Sequence, residues 1–327
     1  MKTIALFFGG PSNEHEVSVN SAKNIYKNLD RKKYRPILVY WTKAGEFFIV
    51  KDINKLNVGR QRLRIEDFRR HFAVAFPITH GRFGEDGVLQ AILESQKIKY
   101  CGCRVLSSAL CMDKAVFKEF LRDKKIRQVP FIVLDFAAMT PAEIKKNLAA
   151  IKRDLSWPLF VKPANSGSSV GITKVNNFKN LARAINLARR HDSKVIIEKG
   201  LVNPREMEVA VLGNKELIVS RPGELKPGQE FYDYDDKYKL GLAKAIIPAK
   251  LPARQTAEIR KLAARVYGLC DCQGFARVDF FIHKNQIYLN EINSLPGFTN
   301  ISMYPMLMKS QGVSYKGLLN KIIKLAY

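Results

Sequence analysis

Long apolar stretches are what this sequence lacks first: no uninterrupted run reaches the roughly 18 residues that a membrane-spanning helix requires. The opening, MKTIALFFGGPSNEHEV, has neither the extended apolar region nor the small-residue cleavage site of a secretory signal. A soluble, unexported, cytoplasmic protein without membrane partners is therefore expected. Cysteine is scarce as well. Of the five, Cys101 with Cys103 and Cys270 with Cys272 form C-x-C pairs rather than the C-x2-C spacing of the common zinc sites, and Cys111 stands alone, so reduced structural cysteines are expected. Acidic residues are the third shortage, with 30 Asp plus Glu against 55 Lys plus Arg and a net charge of +25. Charged residues make up 26% of the chain, close to the usual ~25%, so the imbalance lies in the sign chosen. It points to polyanionic partners or to background composition. Nucleic-acid binding calls for basic residues interleaved with stacking aromatics, or for a recognisable module. The basic clusters at 60–70, 145–153 and 183–190 alternate instead with apolar positions, as solvated helix faces do, and no nucleic-acid partner is expected.

What is present reads as α/β. The 327 residues, 46% of them hydrophobic, suffice for about two domains at roughly 150 residues each. An apolar run at 4–8 stops at Gly9-Gly10-Pro11, helical spacing follows over 17–29, and a second run at 35–41 completes a β-loop-α-β unit. A third run, 72–78, ends in the polar segment 80–87 before helical spacing resumes over 88–94. Ligands of open parallel sheets bind beside the carboxyl ends of the strands, so both polar loops are candidate site walls. Helices at 114–123, 141–155 and 177–190 then mix with strands at 131–134, 159–162 and 194–198. The last third carries strands, a polar loop at 228–239, a helix at 254–267, a hairpin at 275–293 and a final helix at 315–325. No internal repeat interrupts this order. It reads as three consecutive α/β lobes, 1–103, 104–199 and 200–327.

The richest segment is FARVDFFIHKNQIYLNEIN, two strands joined by a short turn around 284–286. Side chains repeat a face every second residue, so Arg277 pairs in orientation with Asp279, and Glu291 with Asn293. A three-residue loop would set 279 opposite 291 and 277 opposite 293. Two carboxylates and an amide oxygen are hard ligands of the kind that Mg²⁺ takes together with substrate phosphates. Lys162 ends a strand before Ser166-Gly167-Ser168-Ser169-Val170-Gly171, whose backbone N–H groups could approach phosphate oxygens. No Gly-Lys-Ser/Thr follows, so this is not a Walker A loop. With Lys114 and the carboxylate hairpin it supplies cations, donors and metal ligands for a nucleoside triphosphate. Glu14, His15 and Glu16 could equally serve a helix start capped by Ser12 or Asn13. His80 in THGRFGEDG could be a structural histidine.

These motifs, in this order, resemble the D-alanine:D-alanine ligases of the ATP-grasp superfamily: GGPSNEHEVS, HGRFGEDG, MDK, VKPANSGSSVG, REMEVAVLGN, FYDYDDKY, RVDFF and NEINSLPGFT. The resemblance runs from Phe7 to near Leu307. It implies an ATP-grasp fold of three α/β lobes and ATP-dependent joining of two D-alanines through a D-alanyl phosphate, for peptidoglycan synthesis. By position it gives Lys114, Lys162 and Ser169 to the ATP phosphates, Glu198, Lys199 and Leu201 to adenine, and Glu206 to ribose. Asp279, Glu291 and Asn293 would ligate two Mg²⁺ ions, with Mn²⁺ able to substitute. Glu14, with His80, would hold the first D-alanine, and Glu14, Ser168 and Tyr238 would latch the closing loop, where Lys237 also lies. Arg277 and the Gly297 N–H would face the developing oxyanion, and Ser302 and Met303 would border the second D-alanine. A homodimer is implied too. Pro204 stands where the family usually has glycine, and Met303 where leucine is common. Ligases making D-alanyl-D-serine or D-alanyl-D-lactate, another ATP-grasp carboxylate-amine ligase, and a basic nucleic-acid-binding protein on a degenerate ATP-grasp fold are the competing readings.

Overall fold

A computed structural model describes residues 1–167, 170–226 and 244–327. Its first sheet grows from β1 (Lys2–Gly9), α1 (His15–Asn28), β2 (Tyr34–Trp41), β3 (Phe47–Val50), β4 (Gln61–Leu63), α2 (Phe68–His71), β5 (Val74–Pro77), α3 (Val88–Ser95) and β6 (Lys99–Tyr100). The strand order is β4-β3-β2-β1-β5-β6, parallel through β2, β1, β5 and β6. Pairing of Phe7 with Pro77 brings the two polar loops that follow β1 and β5 side by side. The cluster at 60–70 departs from the expected helix: 61–63 is the edge strand β4, and only 68–71 is α-helical.

Two short helices follow, α4 (Val105–Met112) and α5 (Lys114–Phe120). The second sheet is built from β7 (Phe131–Asp135), α6 (Pro141–Asp154), β8 (Leu159–Pro163), β9 (Thr173–Val175), α7 (Leu181–Arg189) and β10 (Lys194–Lys199), in the antiparallel order β7-β10-β8-β9. Helix α6 starts well because Thr140 and Glu143 form a reciprocal capping box with Pro141 at the first turn. The third sheet comprises β11 (Arg205–Leu212), β12 (Ile218–Val219), β13 (Gly223–Lys226) and β14 (Lys244–Ile246), then α8 (Ala253–Leu269), β15 (Phe275–His283) and β16 (Gln286–Asn293). Helices α9 (Met303–Ser310) and α10 (Tyr315–Leu325) close the chain.

Packing shows which parts share a core. Phe8 and Phe76 of the first sheet are buried with Phe275, Phe298 and Tyr304 in one apolar cluster, with the Phe275 and Phe298 rings 5.4 Å apart. The second sheet has a cluster of its own around Leu134, Val161, Ile185 and Ile197. Cys111, Phe117 and Leu121, from the stretch expected to go with the central lobe, pack instead into the core of the third sheet with Val209, Val278 and Leu289. All five cysteines are free and buried, and Cys111 and Cys272 bring their sulfurs within 3.9 Å.

Hairpin β15–β16 pairs Arg277 with Asn293 and Asp279 with Glu291, as expected, but for a different reason. Its turn has two residues, Lys284 and Asn285, both left-handed at φ 49° and 61°, the conformation that matches strand twist in tight hairpins. That turn alone would set Asp279 opposite Asn290 and leave Glu291 on the other face. A bulge between Asp279 and Phe280 inserts one extra residue in β16 and turns Glu291 and Asn293 onto the face of Arg277 and Asp279.

Candidate active site

One cavity of about 710 Å³ takes its walls from all three sheets. Glu14, His80 and Glu85 come from the loops after β1 and β5, Lys114 from α5, and Lys162 and Gly167 from β8 and its loop. Opposite stand Glu206, Arg277, Asp279, Glu291 and Asn293, with Gly297, Ser302 and Met303 beside α9.

Helix α1 organises the loop side, because Ser18, Ser21 and Asn24 recur every three residues on one face. Ser18 Oγ accepts the Gly9 N–H at 2.8 Å and donates to the Ile78 carbonyl at 2.6 Å. Ser21 Oγ meets His80 Nε2 at 3.0 Å and accepts the Phe298 N–H at 3.3 Å. Asn24 donates to the Phe298 carbonyl at 2.8 Å. The helix thus ties both N-terminal loops to the turn before α9. Ser12 Oγ serves two segments at once: it accepts the Glu14 N–H at the start of α1 at 3.2 Å and donates to the His80 carbonyl at 2.7 Å, while Glu14, the N-cap residue, makes no side-chain cap.

Glu14 is nearly enclosed. A Cβ built on Gly81 would lie 2.6 Å from Glu14 Oε2, and one on Gly167 would lie 2.5 Å from the same atom. Two backbones, one after β5 and one after β8, therefore approach this carboxylate as only glycine allows. Ser168 and Ser169, next in the second of these loops, lie outside the described residues, as do Lys237 and Tyr238. His80 is committed on both sides of its ring: Nδ1 lies 3.0 Å from the Leu295 carbonyl, which can only accept, so Nδ1 carries the proton and Nε2 accepts from Ser21. Through these two contacts the His80 ring ties the loop after β5 to α1 and to the 295–298 turn. Glu85, 3.4 Å from His80, is half-buried on the cavity wall, and its partial burial pushes the carboxyl up despite the His80 hydrogen bond.

Across the cavity, Arg277 forks onto Asp279 at 2.8 and 2.7 Å and reaches Glu208 at 2.8 Å. Burial works against the guanidinium charge, but Asp279 and Glu208 outweigh it and hold the pKa well above the usual value. Asn293 Nδ2 donates to Asp279 at 2.9 Å, and Glu291 Oε2 stands 4.0 Å from Lys114 Nζ. Asp279, Glu291 and Asn293 suit a hard divalent cation by donor chemistry. Among the described residues no cluster of three His, Cys, Asp or Glu side chains has metal-holding geometry. The protein therefore offers two carboxylates and an amide, which matches a Mg²⁺ ion completed by substrate oxygens.

Lys114 Nζ donates to the Ser166 carbonyl at 2.6 Å, clasping the small-residue loop. Lys162 lies 2.5 Å from Glu198, whose other oxygen is 2.8 Å from Lys118. Burial opposes ionisation of Glu198, and the two ammonium groups overcome it, holding the carboxyl at about 2. Glu198, Lys199 and Leu201, the residues expected at adenine, are not among the cavity-lining residues, and the Glu198 carboxylate, 3% exposed on the inner strand β10, is paired with lysines. Glu206 does line the cavity, and β11 begins at Arg205 directly after Pro204, so the proline is accommodated at the strand entrance.

Ser302 precedes α9 and accepts the Thr299 N–H at 3.0 Å; Met303, the first helical residue, is buried. A Cβ on Gly297 would come within 2.8 Å of Ser302 Oγ. Glu85, Lys118 and Glu208 escape the motif reading although all three lie in or beside quoted motifs. Lys118 could be found as the residue four positions after Lys114 on a short helix, and Glu208 as the neighbour of Glu206 on the same face of β11.

Two family descriptions match: D-ala D-ala ligase N-terminus over residues 3–103 and D-ala D-ala ligase C-terminus over residues 120–324. A D-alanine--D-alanine ligase of Caldicellulosiruptor bescii is 43% identical over 348 aligned residues, covering 99% of this chain and 94% of the relative. Among solved structures, the VanG D-Ala:D-Ser ligase from Enterococcus faecalis superposes with a TM-score of 0.90 at 35% identity, covering 100% of this chain and 99% of that one. The D-alanine-D-alanine ligase from Coxiella burnetii gives 0.85 at 32% identity, covering 100% and 95%.

Proposed function

The chain belongs to the D-alanine–D-alanine ligase family, and from that premise we propose how the residues around its cavity divide the work. The activity is ATP-dependent joining of two D-alanines to D-alanyl-D-alanine, which the family supplies to peptidoglycan synthesis. The observation that carries the assignment of roles is the meeting of Glu14, Lys114, Lys162, Arg277, Asp279, Glu291 and the Gly297–Met303 turn on one cavity.

A carboxylate is a poor acylating agent. Its oxygen therefore first attacks the γ-phosphorus of ATP, ADP leaves, and the acyl phosphate so formed is attacked by the amine of the second D-alanine, with phosphate as leaving group. Lys162 and Lys114 face the phosphates, and Glu206 takes the ribose. Divalent cations held by Asp279, Glu291 and Asn293, two Mg²⁺ on the family pattern, would supply charge neutralisation for the transferring phosphoryl group. Glu14 pairs with the ammonium of the first D-alanine. Arg277 and the Gly297 N–H stand where the carbonyl oxygen gains charge. Ser302 and the N-terminal turn of α9, with Met303, receive the carboxylate of the second D-alanine. Water must be kept from an acyl phosphate, and the loop that brings Gly167 to Glu14 is the element placed to exclude it.

Among the described residues no helix is long and apolar enough to cross a membrane. The need for ATP supports a cytoplasmic site of action, and the family resemblance supports a homodimer, which sedimentation velocity would test.

Gly81→Ala tests the Glu14 contact. At φ +77° an L side chain is strained by roughly 1–2 kcal/mol, and the new methyl must displace Glu14 Oε2. The expected result is a rise of about tenfold or more in the KM for D-alanine with the KM for ATP within about twofold. An unchanged D-alanine KM would separate Gly81 from the site.

The function itself is tested by ADP release with D-alanine alone, then with D-alanine plus D-serine or D-lactate, and by the product masses. D-alanyl-D-alanine with D-alanine alone is expected. The likeness to a D-Ala:D-Ser ligase makes D-serine the informative competitor, because a TM-score of 0.90 describes backbone and the second substrate is chosen by side chains. No ADP with D-alanine would sink the reading.

A further inference from the structure

The lysine that faces ATP in this reading shares its carboxylate. Lys162 Nζ lies 2.5 Å from Glu198 Oε2, and Lys118 Nζ lies 2.8 Å from Glu198 Oε1, so each oxygen has its own ammonium. Lys118 and Glu198 are sealed, their side chains 2% and 3% exposed, while Lys162 lines the cavity. A carboxylate set against a phosphate-binding lysine is counterproductive by itself. The pair is neutral toward the cavity, and its anion repels phosphate oxygens. A second ammonium behind the carboxylate reverses this, because two cations against one anion leave a positive charge, expressed at the member that reaches the cavity.

Helix α5 delivers that second ammonium. Lys114 and Lys118 stand four residues apart on one face; the first clasps Ser166, and the second, a turn further on, meets Glu198. Gln128 fixes the Lys118 carbonyl at 3.1 Å, and the Phe131 ring lies 5.7 Å from its Nζ. Burial lowers the Lys118 pKa and Glu198 opposes the change. A buried ion pair adds little stability over an apolar pair of the same volume, so the charges need another reason to be there.

We propose that Lys118 is a positioning residue for ATP: its ammonium offsets Glu198, so that Glu198 can hold Lys162 in place without cancelling the positive charge that Lys162 presents to the nucleotide phosphates. The proposal rests on the ATP site of the preceding reading.

The test is calorimetric binding of the Mg²⁺ complex of β,γ-imido-ATP to the full chain, beside steady-state KM values for ATP and D-alanine. Lys118→Met is expected to weaken nucleotide binding about tenfold or more, with the D-alanine KM within about twofold. Lys118→Met combined with Glu198→Gln removes one cation and the anion together, and is expected to return nucleotide affinity to within about threefold of wild type. A single variant that binds like wild type overturns the proposal, as does a double variant as weak as the single. Should the single variant not fold, the double variant, which removes the sealed Lys118–Glu198 pair together and leaves only Lys162 at the cavity wall, decides alone by the same threefold criterion. Wild-type protein that binds the nucleotide but makes no dipeptide removes the ligase reading and leaves this one standing. Wild-type protein that does not bind it removes this one.

Discussion

Arg277→Met is expected to lower kcat by about 10³-fold or more, the larger of the two strongest effects. Two losses combine. In the proposed reaction the guanidinium is a charged donor to the developing oxyanion, and removing one such donor typically costs about 10²–10³ in turnover. It is also the counter-charge of Asp279 and Glu208, at 2.7–2.8 Å from each, and stripping a buried pair of one partner costs about 3–5 kcal/mol. Without it, Asp279 loses the fork that fixes its orientation as the proposed metal ligand. Arg277→Lys keeps the charge but loses the planar fork, so it should fold like wild type and recover only about tenfold of the lost turnover. Steady-state kinetics with circular dichroism on both variants checks this. Turnover within about tenfold of wild type in a folded Arg277→Met protein would take the arginine out of the chemistry.

Glu14→Gln should lower kcat/KM for D-alanine by about 10²-fold or more while nucleotide affinity stays within about twofold. The substitution preserves shape, so Gly81 and Gly167 can still close on the side chain. What changes is that a buried carboxylate, proposed to face the D-alanine ammonium, becomes a neutral amide with a donor of its own. Measurement of D-alanine and ATP KM values on the same preparation separates the outcomes. A parallel rise in both would mean general damage to the cleft, and no change in the D-alanine value would place the ammonium elsewhere.

Much of this site is legible as sequence because its residues sit in contiguous motifs at strand ends. Glu14, His80, Lys114, Lys162, Arg277, Asp279, Glu291 and Asn293 all fall where loops or hairpin faces bring them to one cavity. What stays hidden depends on contacts between distant segments. The pairing of Asp279 with Glu291 follows from the motif spacing, yet the bulge that produces it arises in packing, since a two-residue turn alone would have turned Glu291 away. The ion pair that joins Glu198 to Lys118, 80 positions earlier in the chain, has no signature in either motif. Ser12 accepts the Glu14 N–H at the helix start, but its second bond, to the His80 carbonyl 68 residues distant, has no local signature. Among secondary elements, α4 and α9 leave weak signals for local reasons. VLSSALCM has no polar face to set a period, and MYPMLMKS carries Pro305 in its first turn, where a proline is tolerated but masks the pattern. The net charge of +25 finds only a few local addresses at Lys114, Lys118, Lys162 and Arg277; most of it lies on exposed faces such as those of α6 and α7.

The central claim is that ATP activates the D-alanine carboxylate as an acyl phosphate inside this cavity. D-alanine labelled with ¹⁸O in its carboxylate tests it most directly, with the released phosphate analysed by mass. Transfer of one labelled oxygen from each activated D-alanine to the phosphate, in step with ADP and dipeptide, is the predicted result. Dipeptide formed with phosphate that carries no label would contradict it.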